Sequence, residues 1–255
     1  MRKLWVLVAA GAVGTVVALS VPSAFAEDYA FADEFAGTAG TAPDSTKWTQ
    51  ETGCEWGSGK EQQCYTDGGH NAELDGNGHL LINARAEKYN GNDFTSARLR
   101  AKTMTGAGTV EVRAKFSGYQ AGAWPAIWTT DEKTWPVNGE IDLMEIGLNK
   151  TWKPKYHTHY GTRGDVQSKG GIYADDPDDA GWTGWHTYKA VYTNGDNGSV
   201  KFYIDDVFVA EEPYQVPDDA GAQVILNIAV GSAAGTPDPK LDNTMTVDYV
   251  HVTQR

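Results

Sequence analysis

The stretch "GEIDLMEIG" (139–147) sets three acids, Glu140, Asp142 and Glu145, among residues that are otherwise apolar or glycine. A helix, at about 100° per residue, would turn Glu140 well away from the other two. A regular strand would put Glu140 and Asp142 on one face and Glu145 on the other. One β-bulge at Leu143-Met144 resolves the conflict, because two residues then occupy the space of one and the phase slips by one. Glu145 returns to the face of Glu140 and Asp142, and Ile141, Leu143, Met144 and Ile146 share the opposite, core face. Without the bulge, either Glu145 enters the core or two apolar residues leave it, and an unpaired buried carboxylate is costly. The stretch reads as a bulged strand with one apolar and one acidic face.

Outward from it, short β-rich runs recur: "HLLINAR" (79–85), "TSARLRAK" (95–102), "GTVEVRAKF" (108–116), "PAIWTT" (125–130), "HTYKAVYT" (186–193), "SVKFYIDD" (199–206), "QVILNIAV" (223–230) and "MTVDYVHVT" (245–253). Val110, Val112, Ala114 and Phe116 alternate with Glu111, Arg113 and Lys115, as in a sheet with one core face and one wet face. "DGNG", "NGDNG" and "PDDAG" are turn sequences, and "YIDD" is expected to turn at Asp205-Asp206. Many short strands with such turns predict an antiparallel sandwich or barrel. The last run reads as a closing strand that brings the two ends of the domain together. No repeat or low-complexity linker interrupts the pattern.

The first 26 residues stand apart. Arg2 and Lys3 precede an apolar run, and Ala24-Phe25-Ala26 fits a small-x-small cleavage site, so residues 1–26 read as a secretory signal peptide. The competing reading is a transmembrane helix over Leu4–Val21; the polar residues that follow favour cleavage. Residues 27–255 are then one secreted domain, of a size that β-sandwiches reach. Cys54 and Cys64, ten residues apart and exported, are expected to form one local disulfide, stabilising by somewhat under ~3 kcal/mol. With 34 Asp and Glu against 21 Lys and Arg, the chain is unsuited to nucleic acid or anionic membranes.

Three acids on one face invite two readings. The plain one is a solvated acidic edge strand, or half of a calcium site. The chemical one is a pair of catalytic carboxylates. The two glutamates become effectively four strand positions apart, roughly 13 Å between Cα atoms at ~3.3 Å per residue. Leaning together, their carboxyls could approach the ~5–5.5 Å of a retaining glycosidase, although this estimate alone leaves the ~6.5–9.5 Å of an inverting one open. Clustered acids also push one another's pKa values apart, which can keep one protonated beside an ionised neighbour. Trp124, Trp128 and Trp135 crowd the motif, and flat rings suit the apolar faces of sugars. Core packing competes equally for Trp128 and less for Trp135. His157 and His159, two apart on a strand, form a metal pair only with a third ligand, and none is evident.

"GEIDLMEIG", preceded by "GAWPAIW" and "TWP", resembles glycoside hydrolase family 16, in particular its secreted bacterial laminarinases (endo-β-1,3-glucanases), which carry the longer, bulged motif. "FADEF" (31–35), "WGSGKEQQCYT" (56–66), "FTSARLRAK" (94–102), "HYG" (159–161), "LNIAVG" and "VDYVHV" extend the resemblance across the chain. It implies a β-jelly-roll of two curved antiparallel sheets with a substrate cleft on the concave one. It also implies Glu140 as nucleophile, Glu145 as acid/base, and Asp142 as assistant to the nucleophile. Trp124 and Trp135 would line the glycone side, with Arg98, His159 and Trp128 as further cleft residues. No catalytic cofactor is implied. One structural calcium is, at positions matching Glu34, Gly78 and Asp248.

There are departures. Ser58-Gly59 follow the W-G pair with an apparent extra residue, Cys64 stands near a usual aromatic, and "VGSAAGTPDP" (230–239) lacks a usual cleft tryptophan. These leave the catalytic strand intact and bear on which glycan is held. The expected function is a monomeric, secreted, retaining endo-β-glycanase acting on β-1,3-glucan. Alternatives are mixed-linkage β-1,3-1,4-glucan, a β-galactan, or a carbohydrate-binding protein without hydrolysis. Retention of both glutamates favours an enzyme.

Overall fold

The computed structural model describes residues 28–148, 152–173 and 182–255. The expected signal peptide, residues 1–26, lies outside the described residues. Among the described residues no α-helix forms, and no helix is long and apolar enough to cross a membrane. The chain is a jelly-roll sandwich of two sheets.

The seven-stranded sheet runs β12 (Asp165–Ile172), β11 (Lys155–Thr162), β10 (Glu140–Glu145), β9 (Ala123–Thr130), β16 (Gln223–Val230), β7 (Arg98–Ala101), β2 (Trp48–Glu51). The ten-stranded sheet runs β15 (Val207–Pro213), β14 (Ser199–Ile204), β13 (His186–Tyr192), β8 (Gly108–Phe116), β17 (Asp242–Gln254), β5 (Leu80–Tyr89), β6 (Asn92–Ser96), β3 (Gln63–Tyr65). The short strands β1 (Phe31–Asp33) and β4 (Ala72–Leu74) add to β17 and β5.

The alternation in β8 is realised residue by residue. Val110, Val112, Ala114 and Phe116 are buried, and the charged residues between them are partly exposed. These side chains meet Ile127, Ile141, Leu143, Met144, Leu226 and Ile228 of the other sheet in one core. Fully burying each such side chain is worth about 1.5–3 kcal/mol. The hairpin β14–β15 closes at Asp205-Asp206, both at positive φ (48° and 63°), the conformation that suits a two-residue turn to strand twist. Phe31 pairs with Val252, so the ends of the domain are adjacent.

Two expectations need correction. The single run at 95–102 is two strands, β6 and β7, in different sheets; the chain crosses between them at buried Ala97. The sheets are also not wholly antiparallel, since β3 pairs with β6 in parallel. The sequence pattern missed β12, an exposed edge strand with Gly170 and Gly171 and no buried residue.

Candidate active site

The bulge stands where the spacing requires it. Asp142 pairs with His157 and Glu145 with Lys155 on one side of β10; on the other, Asp142 pairs with Trp128 and Met144 with Ile127. Two residues of β10 therefore span one of each neighbour. Directly opposed residues share a face, so Glu140, Asp142 and Glu145 lie on the outer face with Trp128, Ala126, Asn227, Arg98, His157 and His159. Ile141, Leu143, Met144 and Ile146 are all fully buried beneath.

The acids line a cleft of about 160 Å³ with Glu61, Arg98, Trp124, Trp128 and Asn227. Trp124 donates its indole N–H to Glu145 Oε1 at 3.0 Å, and His157 Nδ1 stands 3.0 Å from Glu145 Oε2. His159 Nε2 is 3.2 Å from Asp142 Oδ2 and 3.8 Å from Glu140 Oε1. Trp135, 37 % exposed on the loop before β10, hydrogen-bonds Glu140. Arg98 is only 6 % exposed. Its guanidinium lies over Trp56 and Trp128, 5.1 and 4.8 Å from their ring centroids, and is held by Glu51 and Glu132. Trp128 donates to Asn227 Oδ1 at 2.7 Å. It faces the cleft, not the core.

Burial, then repulsion from Asp142, pushes the Glu140 carboxyl well above the usual carboxylate range; His159 and Trp135 pull it back and Glu145 pushes further. Burial, then Glu145, does the same to Asp142, which is 4 % exposed. Such neighbours hold a proton between them where isolated acids would hold none. The effect on stability has a definite sign. A carboxyl whose folded pKa is raised binds a proton that the unfolded chain, near pKa 3.9 for Asp, has released. Its contribution is present below that value and is lost as pH rises through the folded one. Asp142→Asn is therefore expected to raise the melting temperature at pH 8, by about 2–4 °C for each kcal/mol of strain relieved, with little gain at pH 4. Thermal melts at both pH values check this, and an equal gain at both would show that charge is not the cause.

A family-level comparison matches residues 54–251 to glycosyl hydrolases family 16. The chain belongs to this family. It is 32 % identical over 240 residues to a β-glucanase of Rhodothermus marinus, covering 82 % of this chain and 80 % of that protein. Its fold is similar to a variant of LamA from Zobellia galactanivorans solved with laminaritriose and laminaritetraose (TM-score 0.74, 28 % identity, 88 % of this chain and 97 % of that one). It is likewise similar to SCLam, a non-specific endo-β-1,3(4)-glucanase (TM-score 0.73, 28 % identity, 89 % and 91 %). The chain is thus a glycoside hydrolase of the endo-1,3-β-glucanase type, a class that needs no catalytic cofactor.

In this family 16 hydrolase the eight cleft positions named from sequence, Glu140, Asp142, Glu145, Trp124, Trp135, Arg98, His159 and Trp128, come together around one site. Sequence reasoning missed Glu61 and Asn227. Asn227 carried the same signal as the acids, a lone polar residue in the apolar run "QVILNIAV". Glu61 reaches the cleft from a loop that the Cys54–Cys64 disulfide closes. Each of the two histidines faces two of the acids. Donor atoms of Glu140, Asp142 and His159, and of Asp142, Glu145 and His157, lie within 4.8 Å of one another.

Glu34, Gly78 and Asp248 lie on the ten-stranded sheet, on or beside strands whose other faces pack the core. Glu34 O is 3.7 Å from where a side chain on Gly78 would begin. However, Asp248 is paired with Arg113 and has His79 at 3.8 Å, and the Glu34 carboxylate is 2.5 Å from His251. A calcium ion needs several oxygens around it, and here both carboxylates already face basic side chains. The arrangement fits calcium poorly.

Proposed function

We propose that the protein is a secreted, retaining endo-β-1,3-glucanase. Its activity on the chain would run through Glu140 and Glu145. The observation that carries the reading is the bulge, which sets both glutamates and Asp142 on the cleft face with different partners. Glu145 meets Trp124 and His157, whereas Glu140 meets Trp135, His159 and the charge of Asp142.

The chemistry is a double displacement. Glu140 attacks the anomeric carbon as the bond to the leaving oxygen breaks, and Glu145 delivers its proton to that oxygen. Glu145, now ionised, takes a proton from water, whose oxygen attacks the anomeric carbon and frees Glu140. Burial and the repulsion between Glu140 and Asp142 raise both carboxyls and favour one proton shared by the pair; with that proton on Asp142, Glu140 is ionised for attack. Trp124 and Trp135 offer ring faces to the sugar while their indole N–H groups hold Glu145 and Glu140; Trp128 and Arg98 stack as a cleft wall, and His159 offers a donor.

The similarity to a β-glucanase and to an endo-β-1,3(4)-glucanase supports β-glucan as substrate, and the ligands of the LamA structure support β-1,3 linkage. The similarity to SCLam favours a second reading, activity on mixed-linkage β-1,3-1,4-glucan as well. The Ala24-Phe25-Ala26 site and the disulfide support secretion. Incubation with laminarin, lichenan and a β-galactan, with products sized and their first-formed anomer read by NMR, tests all of this. We expect laminarin to be cut internally to β-configured products. Hydrolysis of none, with glycan binding retained, would leave a binding protein. First-formed α-products would refute retention.

A further inference from the structure

Beside the cleft, where β16 leaves its sheet, lies a second depression of about 670 Å³ lined by Lys60, Gln62, Ser232, Ala233, Gly235 and Thr236. It adjoins the cleft through two backbone segments. Glu61 and Ala229 line the cleft; Lys60 and Gln62, on either side of Glu61, and Ser232, three residues beyond Ala229, line the depression. Glu61 bridges Gly231, and Gln62 N–H donates to Val230 O at 2.9 Å. The floor is built rather than loose. Ser232–Ala234 is a tight turn flanked by Gly231 and Gly235 at φ 82° and 87°. Gly231 N–H donates to Gly122 O at 2.8 Å, and a side chain on Gly231 would meet Gln62 Nε2 at 2.7 Å.

Its chemistry is distinct from the cleft's. The lining has no aromatic ring and no acid. Two hydroxyls, one amide and one ammonium supply donors and acceptors around walls of Ala and Gly. Lys60, Gln62, Ala233 and Thr236 are exposed, so the depression is open to solvent and to a chain lying in the cleft. A polar concavity continuous with a polysaccharide cleft suits a neutral polyol attached to the main chain.

We propose that this depression is a side-branch pocket. It accepts a glycosyl substituent on the main-chain unit lying over Glu61 and Ala229, so that branched as well as linear β-glucan is cut. This rests on the β-glucan reading above.

The test compares kcat/KM for a linear β-1,3-gluco-oligosaccharide with that for the same oligosaccharide bearing one β-1,6-linked glucosyl unit. The wild-type protein is expected to cleave both within about 10-fold of each other. Ala233→Trp, which fills the depression, should lower the branched-to-linear ratio by about 10-fold or more, as expected of steric exclusion from a pocket. Gln62→Ala, an exposed position, should lower the ratio by about 3-fold or more through one lost hydrogen bond; it serves should the tryptophan variant fail to fold. Rejection of the branched substrate by the wild-type protein, or an unchanged ratio in the folded variants, overturns the pocket. Failure to cleave either substrate instead overturns the β-glucan reading.

Discussion

Glu140→Ala is expected to lower kcat/KM on β-1,3-glucan by about 10⁴-fold or more, with the melting temperature unchanged or raised. The loss follows from removing the group that attacks the anomeric carbon. The preserved stability follows from the site itself: Glu140 is an acid held above its usual range by burial and by Asp142, so its removal relieves repulsion. Azide separates the two glutamates. In Glu140→Ala it can enter from the vacated face, and Glu145 still protonates the leaving group, so an activated substrate should yield the α-glycosyl azide. In Glu145→Ala the nucleophile remains. A glycosyl-enzyme forms from a substrate with a good leaving group, and azide enters from the opposite face to give the β-glycosyl azide. Product configuration by NMR reads the outcome. Substantial unaided turnover by Glu140→Ala, or swapped configurations, would refute the assignment.

The bulge predicts an asymmetry between gaining and losing one residue. An alanine inserted between Asp142 and Leu143 adds a residue to a strand whose phase is already used, and turns Glu145 toward the core that now holds Leu143, Met144 and Ile146. An unpaired carboxylate there costs several kcal/mol, and the acid/base is lost to the cleft. We expect kcat/KM to fall by about 10³-fold or more and urea midpoints to drop sharply. Deleting Met144 instead leaves "EIDLEI", in which the acids alternate with apolar residues on an unbulged strand. All three carboxylates keep their face, and the cost is one buried side chain, about 2–5 kcal/mol. Activity should survive deletion far better than insertion. Equal damage from both would mean that phase is not what places Glu145.

The strand and its faces were readable because burial on one side leaves a period in the residues, and the acids broke that period in a way only a bulge repairs. Asn227 could have been found by the same logic. Glu61, which lines the cleft, and Glu51 and Glu132, which hold Arg98, could not: they come from loops or strand ends, where no alternation marks a face. The break of 95–102 into β6 and β7 was hidden for a related reason. Ala97 is buried in either sheet, so the apolar pattern runs through the crossing unbroken. β12, an edge strand exposed on its outer side, needs no apolar residues and leaves no period at all.

Local pattern alone thus gave an all-β sandwich or barrel with Glu140, Asp142 and Glu145 on one face, since the contrast between water and core acts on each residue separately. The disulfide partners needed no fold either, because the two cysteines of this sequence allow a single pairing within it. Which charges answer which acid was decided only by the tertiary structure. His157 meets Glu145, and His159 meets Asp142, because β11 lies beside β10 in one register. Arg98 lies over Trp128 because β7 and β9 flank β16. Arg113 reaches Asp248, making the implied calcium site a poor fit, because β8 lies beside β17. Those pairings come from strands distant in sequence, and strand order, unlike alternation, is not written in any single run of residues.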